Sequence, residues 1–590
     1  MQSRQGFFLQ ANEALFMYHP LMLFSSLCSL AVNKEVLRMQ KEFSFTQPSY
    51  ITLDLGEKYL PIHEDQACIV TNNPLTKAEV YAPEINFYLR HSTADKKHKS
   101  EAVKTLYEIR MTAFDLAQQT EMSITAGHRI LIVSGLEQSL LGNKLDELGF
   151  EVLQVQASSI VTLDKQQNGL QVSVLEGETT FILEADQILW GNCPKEYTAL
   201  PAVHDHEILG QQKTIERVLA GCRTISYNIQ VKYNSSLCLY HDKRQEICGQ
   251  CVDVCPTQTI VKRQQPLRLE IMHARCSGCG ACVAACPTGA MDSSRIPRNA
   301  FRQIARLFTG YTAMIIPSSL DLEKLDCELD TGILPLVIDD SLLDEWHLLS
   351  LVQTSGMPAI YCPDERTDLT ENIVRVINEI FLKRFQQRAV ILCETPEDLR
   401  REMAQIKPLD AARFELDERS LTKRQAIAKR LQHLVEAEDL GAVDTAPYLH
   451  YGMLRLNQDA CTLCLSCVDG CTPGALQIDK EQNTLDFIPA LCTCCGYCLQ
   501  TCPENDCLKI YRDQLVLHPE FFRRRVMARD EIFKCVECGR GFAPAKSVSR
   551  IAAIMAPKFA DDSLRSKTLY CCPECKARVM LEGLKEIESF

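Results

Sequence analysis

The stretch Cys461-Thr462-Leu463-Cys464-Leu465-Ser466-Cys467-Val468-Asp469-Gly470-Cys471 is followed, after twenty residues, by Cys492-Thr493-Cys494-Cys495-Gly496-Tyr497-Cys498-Leu499-Gln500-Thr501-Cys502-Pro503. Each half spaces three cysteines by two residues and places a fourth after three more. With this spacing three thiolates on one tight loop hold three corners of a [4Fe–4S] cube, and the fourth, expected at the start of a helix, reaches across to a second cube. The crossed pattern assigns Cys461, Cys464, Cys467 and Cys502 to one cluster, and Cys492, Cys495, Cys498 and Cys471 to another. Eight cysteines in this register rarely arise for packing reasons.

A second block precedes it. Its latter half is regular, Cys276, Cys279, Cys282, Cys286 and then Pro287, but its first half begins at Cys248, with Cys251, Cys255 and Pro256, and Gln245 stands where a leading cysteine belongs. Cys238 lies seven residues further back, and a longer loop can still deliver its thiolate to the same iron. The assignment is therefore Cys238, Cys248, Cys251 and Cys286 for one cluster and Cys276, Cys279, Cys282 and Cys255 for the other. The alternative is a three-thiolate site: a three-iron cluster, or a cube with an open iron or a ligand such as His241. Cys255 to Cys276 and Cys471 to Cys492 are separated by the same 21 positions, the mark of an internally repeated ferredoxin-type dicluster module. Gly249, Gly278, Gly280 and Gly496 beside the ligands are expected to let the loops fold tightly. The prolines after Cys255, Cys286 and Cys502 are expected to open helices at their first turn. Cys471-Thr472-Pro473 shifts that proline by one place.

Beyond the second block, Cys535 and Cys538 are followed after 33 intervening residues by Cys572 and Cys575. Two such knuckles offer four soft thiolates for a closed structural Zn2+ site, favoured here over a mononuclear iron with the same ligands. Cys571 is an alternative to Cys572. The remaining cysteines, Cys28, Cys68, Cys193, Cys222, Cys327, Cys362, Cys393, Cys494 and Cys507, read mostly as buried small hydrophobes, Cys494 being out of register as a ligand.

Thirty cysteines in a small secreted chain would suggest disulfides. Here, in 590 residues and mostly in Cys-x2-Cys groups, they point to metal binding in a reducing compartment, and the expectation is a cytoplasmic protein. The formal charge of −13 and the lack of a basic stripe argue against a nucleic-acid partner. Ala14 to Val32 is apolar but interrupted by His19 and Pro20. It is read as a buried or disordered segment rather than a membrane span, with a peripheral contact to a membrane partner as the alternative.

In chain order, Tyr50 to Leu55 and Cys68 to Val70 read as strands, Lys96 to Lys99 as a solvated charged patch, and Ala102 to Gln119 as an amphipathic helix. Arg129 to Ser134, Gly135, Gln138 to Leu148 with Gly149 as cap, and Glu151 to Val155 form a βαβ start, and Asn168-Gly169 marks a hairpin. Gly135 alone does not make a dinucleotide fingerprint, so a structural α/β domain is preferred there. Tyr311 to Pro317, Gly332 to Asp339, Ala359 to Cys362 and Ala389 to Cys393 read as buried strands alternating with helices at Leu342 to Thr354 and Leu369 to Phe385. Pro396 to Ile406, capped by Thr395, and Ser420 to Glu438 read as charged helices, the second covering a domain surface or linking to the second cluster module. The expected fold is α/β plus α+β and multidomain. Its parts are a mixed segment 1–125, an α/β domain 126–225, a dicluster module 230–298, an α/β spacer 299–400, a helical linker 401–448, a second dicluster module 449–515 and a zinc-ribbon-like module 525–590.

Cys238 to Pro287 with its displaced first cysteine, the α/β spacer, the second cysteine pair and the C-terminal knuckles together resemble the large bacterial 4Fe–4S dicluster proteins associated with formate dehydrogenase systems. That resemblance implies cytoplasmic electron transfer between a molybdenum or tungsten enzyme and an acceptor, with a redox-enzyme subunit, formate dehydrogenase, as partner. No nucleophile constellation, Walker loop or paired carboxylates point to a catalytic site. The leading expectation is a non-catalytic relay carrying four [4Fe–4S] clusters and one Zn2+ or mononuclear iron. The alternatives are an oxidoreductase with a flavin or nucleotide site in its N-terminal α/β domain and an accessory or maturation factor for a redox enzyme.

Overall fold

The computed structural model describes residues 41–588 apart from 64–65, 135–139, 167–168, 178, 195–196, 198–201, 326 and 365. The apolar stretch 14–32 and Cys28 lie outside these residues, as do the Gly135 turn and Asn168. Among the described residues no helix is long and apolar enough to cross a membrane.

At the centre is a four-stranded parallel sheet in the order Ile333–Ile338, Thr312–Pro317, Ala359–Tyr361, Val390–Leu392. All six residues of Thr312–Pro317 are buried, as a parallel strand covered on both faces requires. Helix Glu345–Ser355 is capped by Asp344, and Asp368–Phe385 by Thr367. Thr395 caps Pro396–Met403 by accepting the Asp398 N–H.

The N-terminal part is built onto this unit. Three parallel strands, Lys41–Ser44, Cys68–Thr71 and Ala78–Tyr81, precede helices Pro83–His91 and Lys96–Leu116. His91 Nδ1 lies 2.8 Å from the Cys327 carbonyl, and the Thr93 N–H donates to Leu329 at 3.0 Å. Two expectations are corrected here. Tyr50 to Leu55 is not a strand: it runs unpaired, burying Leu53 and Leu55. Lys96 to Lys99 are the first turn of a helix capped by Asp95, so their charge sits on an exposed helical face rather than ahead of the helix.

Residues 129–221 form a unit with cores of their own. They hang on an antiparallel neck, Glu121–Ala126 paired with Arg223–Asn228. Inside the unit a parallel sheet runs Val203–His204, Gln187–Trp190, Arg129–Ser134, Glu151–Gln156, beside an antiparallel meander of Ile160–Gln166, Gly169–Glu176 and Thr179–Ala185. The βαβ start is thus present, with helix Leu140–Glu147 between its strands.

Everything else from Phe43 to Ala528 shares one continuous apolar core, which runs through both cysteine blocks and the sheet between them. Its keystone is the helix Lys423–Val435. The sequence reading placed this helix on a surface; instead Lys423, Arg424 and Arg430 are buried along with Ile427, Leu431, Leu434 and Val435. Thr422 and Gln425 form a capping box at its start. Two of these cations meet carboxylates. Arg430 meets Glu418 at 2.6 Å, a carboxylate that also accepts from Trp346 Nε1 at 2.7 Å. Lys423 Nζ lies 2.8 Å from Asp344 and 3.8 Å from Glu345. Burial works against charge at Asp344, but His347 and Lys423 hold its carboxyl well below the usual carboxylate range.

Breaking a buried pair leaves an uncompensated charge, at a cost of about 3–5 kcal/mol. Asp344→Ala is expected to destabilise the shared core by about that amount, while Arg419→Ala, at an exposed pair, leaves it unchanged. Denaturant unfolding followed by fluorescence of Trp346 checks this, and equal midpoints for the two variants would show that the Lys423–Asp344 pair is not holding the core.

Candidate functional site

The short helices of the cysteine blocks run between the third and fourth cysteines of each half: Gln250–Asp253, Ala281–Ala285, Ser466–Asp469 and Tyr497–Thr501. This corrects the expectation that the fourth cysteine begins a helix. Cys255, Cys286 and Cys502 follow helix ends, and the prolines after them stop the helices, since proline disfavours helical geometry at the residue before it. Pro473 therefore displaces a stop signal and distorts no helix start. Gly280 and Gly496, at φ +89° and +81°, adopt the left-handed conformation that opens two of these helices; Leu465 takes the same role at φ +65°.

These turns gather the thiols into four groups. Cys238, Cys248, Cys251 and Cys286 line one cavity of about 350 Å³, walled by Tyr240, Leu269 and Met291. Cys461, Cys464, Cys467 and Cys502 line another of about 310 Å³. For the other two groups, burial and then neighbouring thiols raise Cys282, by Cys276, Cys279, Cys255 and Cys286, and Cys498, by Cys492, Cys495, Cys471 and Cys467. The two cavities bring together the thiols that the crossed spacing assigns to the Cys238 and Cys461 groups. Cys238, the displaced residue, sits in the first cavity, whereas His241 is not part of its lining.

Each group fits a metal cluster by the chemistry of its donors. Burial, then neighbouring thiols, push the Cys282 and Cys467 thiols up to about 12. Buried thiols crowded in this way ionise together only with a cation among them, and binding iron supplies it. Backbone N–H groups already point at the sulfurs: Tyr240 to Cys238 at 3.3 Å, Thr259 to Cys255 at 3.4 Å, Leu476 to Cys471 at 3.4 Å and Cys494 to Cys492 at 3.4 Å.

Three kinds of residue escaped the sequence reading. Cys507, taken for a buried hydrophobe, lines the cavity of Cys461 and Cys502 as a fifth thiol; the signal was its position five residues after Cys502, where the first block has the cavity-lining Met291. The Tyr233 hydroxyl, buried without another partner, faces Cys238. Lys423 and Arg424 reach the ligand backbones themselves. Lys423 Nζ donates to the Cys286 carbonyl at 2.9 Å, and Arg424 Nη2 to the Cys492 carbonyl at 2.5 Å, so one helix touches a ligand in each block.

The blocks also meet directly. The Arg244 N–H donates to the Tyr497 hydroxyl at 3.4 Å, Lys243 Nζ lies 4.9 Å over the Tyr497 ring, and Gln250 pairs with His450 at 2.5 Å. Gln250 neighbours Cys251, and Tyr497 neighbours Cys498. Residues next to ligands of the Cys238 group therefore touch residues at the Cys492 group.

The C-terminal cysteines form a fifth group. Cys535, Cys538, Cys572 and Cys575 bring their sulfurs within 4.8 Å of one another, with Cys538 and Cys572 at 3.8 Å. A tetrahedron of ~2.3 Å Zn–S bonds has edges of about 3.8 Å. Burial opposes charge on Cys535, but the N–H groups of Cys572, Cys538 and Glu537 bring its thiol down to about 6. Cys571 is not among these four, and its Sγ donates to the Lys567 carbonyl at 3.4 Å. The ribbon-like expectation is corrected: the first pair lies on a hairpin, Ile532–Lys534 with Gly541–Pro544, but the second lies at the start of helix Pro573–Glu588, where Pro573 favours a helical first turn. The local core is little more than the thiols and Val579, so a bound ion is what would hold this module together.

Two predictions follow from these groupings. Cys238→Ala is expected to lose one cluster or convert it to a three-iron form, while Cys222→Ala, on the neck of the 129–221 unit, leaves iron content unchanged; equal iron in both variants would remove Cys238 from the ligand set. Cys535→Ser is expected to release zinc and expose the chain beyond Ala528 to protease without altering iron, and retained zinc would count against the site.

No curated protein matches the chain. Two family models do, each described as a 4Fe-4S dicluster domain, over residues 246–290 and 453–503. Cys238 lies ahead of the first interval, so its place rests on the cavity geometry. The chain thus carries two 4Fe-4S dicluster domains and a four-cysteine group able to hold a metal, and its iron–sulfur domains indicate electron transfer.

Proposed function

We propose that this chain is a non-catalytic electron relay with four [4Fe–4S] clusters, held in the order Cys276 group, Cys238 group, Cys492 group, Cys461 group. The observation that carries the reading is the facing of the two inner groups through ligand-adjacent residues, Gln250 to His450 and Arg244 to Tyr497. Two separate ferredoxin modules serving different partners would not need that seam. When bound, each cluster supplies a one-electron step at a potential set by charge, hydrogen bonds and exposure. The chain's own residues hold the thiolates in fixed geometry, aim N–H groups at them and exclude water from the inner pair.

Cys464 is the exposed ligand of the far group, which favours electron exchange with a partner at that end. The C-terminal module braces the same end, with Ser547 donating to the Thr462 carbonyl and Arg550 3.4 Å from Glu504. The resemblance of the cysteine plan supports a cytoplasmic partner of the formate dehydrogenase type, with the C-terminal group taking zinc as a structural ion.

Anaerobic purification of the tagged chain with its bound proteins tests this. The expected result is roughly sixteen cluster irons per chain, four [4Fe–4S] signals and recovery of a formate-oxidising catalytic subunit. Half that iron, a stoichiometric flavin or clusters that resist reversible reduction would overturn the relay.

A further inference from the structure

The two inner cysteine groups present the same four thiols to opposite electrostatic surroundings. Beside the Cys238 group, Lys423 bonds the Cys286 carbonyl, but its charge is already matched by Asp344 at 2.8 Å and Glu345 at 3.8 Å. Beside the Cys492 group, Arg424 is 2% exposed and gives all its hydrogen bonds to carbonyls: Ala490 at 3.2 Å, His450 at 2.9 Å and Cys492 at 2.5 Å. Its guanidinium lies 3.6 Å over the Tyr451 ring. Among the described residues no carboxylate pairs with it. Arg512 donates to the Cys494 carbonyl and likewise has no carboxylate partner there. A third cation, Lys243, sits 4.9 Å over the ring of Tyr497, the neighbour of Cys498. Asp513, which follows Arg512 in the chain, lies 3.9 Å from His450.

An arginine does not shed its proton, and an unmatched charge in a buried site is costly. Carbonyl dipoles and an aromatic face offset part of that cost. Glu345 and Asp344, the acids that flank Lys423, also act on the Tyr451 ring beneath the guanidinium, and the thiolate group carrying its cluster is the further countercharge within reach.

We propose that Arg424, Arg512 and Lys243 make the group of Cys471, Cys492, Cys495 and Cys498 the electron-attracting station of the chain, giving it the highest reduction potential of the four. The inference rests on the four-cluster relay. Each transfer moves one electron between neighbouring groups with no bond made and no proton moved, so added positive charge stabilises the reduced state directly. Cations matched by carboxylates, as at Lys423, leave the neighbouring group near its unassisted potential. Electrons entering from either end would collect at the Cys492 group.

EPR-monitored redox titration of the full, anaerobically purified chain tests this. The signal that Cys495→Ser removes or alters is expected to be the one with the most positive midpoint in the wild type. That midpoint is expected to move negative in Arg424→Gln, Arg512→Gln and Lys243→Gln, to recover in Arg424→Lys, and to leave the other three midpoints in place. Arg263→Gln, at the exposed Glu270 pair, is the control without effect. If Arg424→Gln loses iron, the half-buried Lys243 and the exposed Arg512 carry the comparison. A most positive midpoint untouched by Cys495→Ser, or cation variants that keep four clusters with unmoved midpoints, overturns the inference and spares the relay. A wild-type chain without a reducible cluster at this group overturns both.

Discussion

Lys423 and Arg424 are consecutive residues on one buried helix, yet they donate to ligand carbonyls of different blocks, Cys286 in the first and Cys492 in the second. On a helix, neighbouring side chains point about 100° apart, so a single turn can serve two opposed surfaces. That geometry makes the helix a strap: its position fixes the two dicluster domains relative to each other, and the start of helix Glu345–Ser355 supplies the acids that keep Lys423 charged. Were the strap held only by apolar contacts, it could rotate or slide with little penalty. The directional bonds from Lys423, Arg424 and Arg430 set one register.

The thiol groupings and most of the central sheet were legible because their causes are local. A Cys-x2-Cys-x2-Cys turn folds on itself whatever surrounds it, and a run such as Ala313-Met314-Ile315-Ile316 suits a strand covered on both faces. Cys238 could also be assigned, because a loop of a few extra residues does not change where a thiolate can reach. The strap was misread for the converse reason. Lys423, Arg424 and Arg430 are charged, and a charged helix is most often a solvated one; only the acids and carbonyls brought from Asp344, Glu418, Cys286 and Cys492 make burial affordable, and those lie far away in sequence.

The helix-start error has a different cause. A proline just after a cysteine is compatible with either the first turn of a helix or the end of the one before it. What decides in three of the four halves is the left-handed residue two positions before the third cysteine, Gly280 before Cys282, Gly496 before Cys498 and Leu465 before Cys467, which opens the helix upstream; Gly280 and Gly496 leave the following proline to close it. The sequence reading noted both glycines as loop formers. Taken as helix openers, they would have given the correct polarity.

The C-terminal module and the inner groups solve the problem of crowded thiols by different means. In the module, N–H donors from Cys572, Cys538 and Glu537 converge on Cys535 and lower the cost of a thiolate before any ion arrives, so a small unit with almost no apolar core is prepared to close around a divalent cation. In the Cys492 group one N–H bond to sulfur, Cys494 to Cys492, stands beside the cations Arg424, Arg512 and Lys243, which on the proposal above do more of the balancing. Backbone donors are fixed by the turn and act on one sulfur, whereas a guanidinium such as that of Arg424 acts on a whole group at once. The first arrangement suits a site that stays closed; the second suits one whose total charge changes by one electron and back, because the surrounding structure need not rearrange when it does.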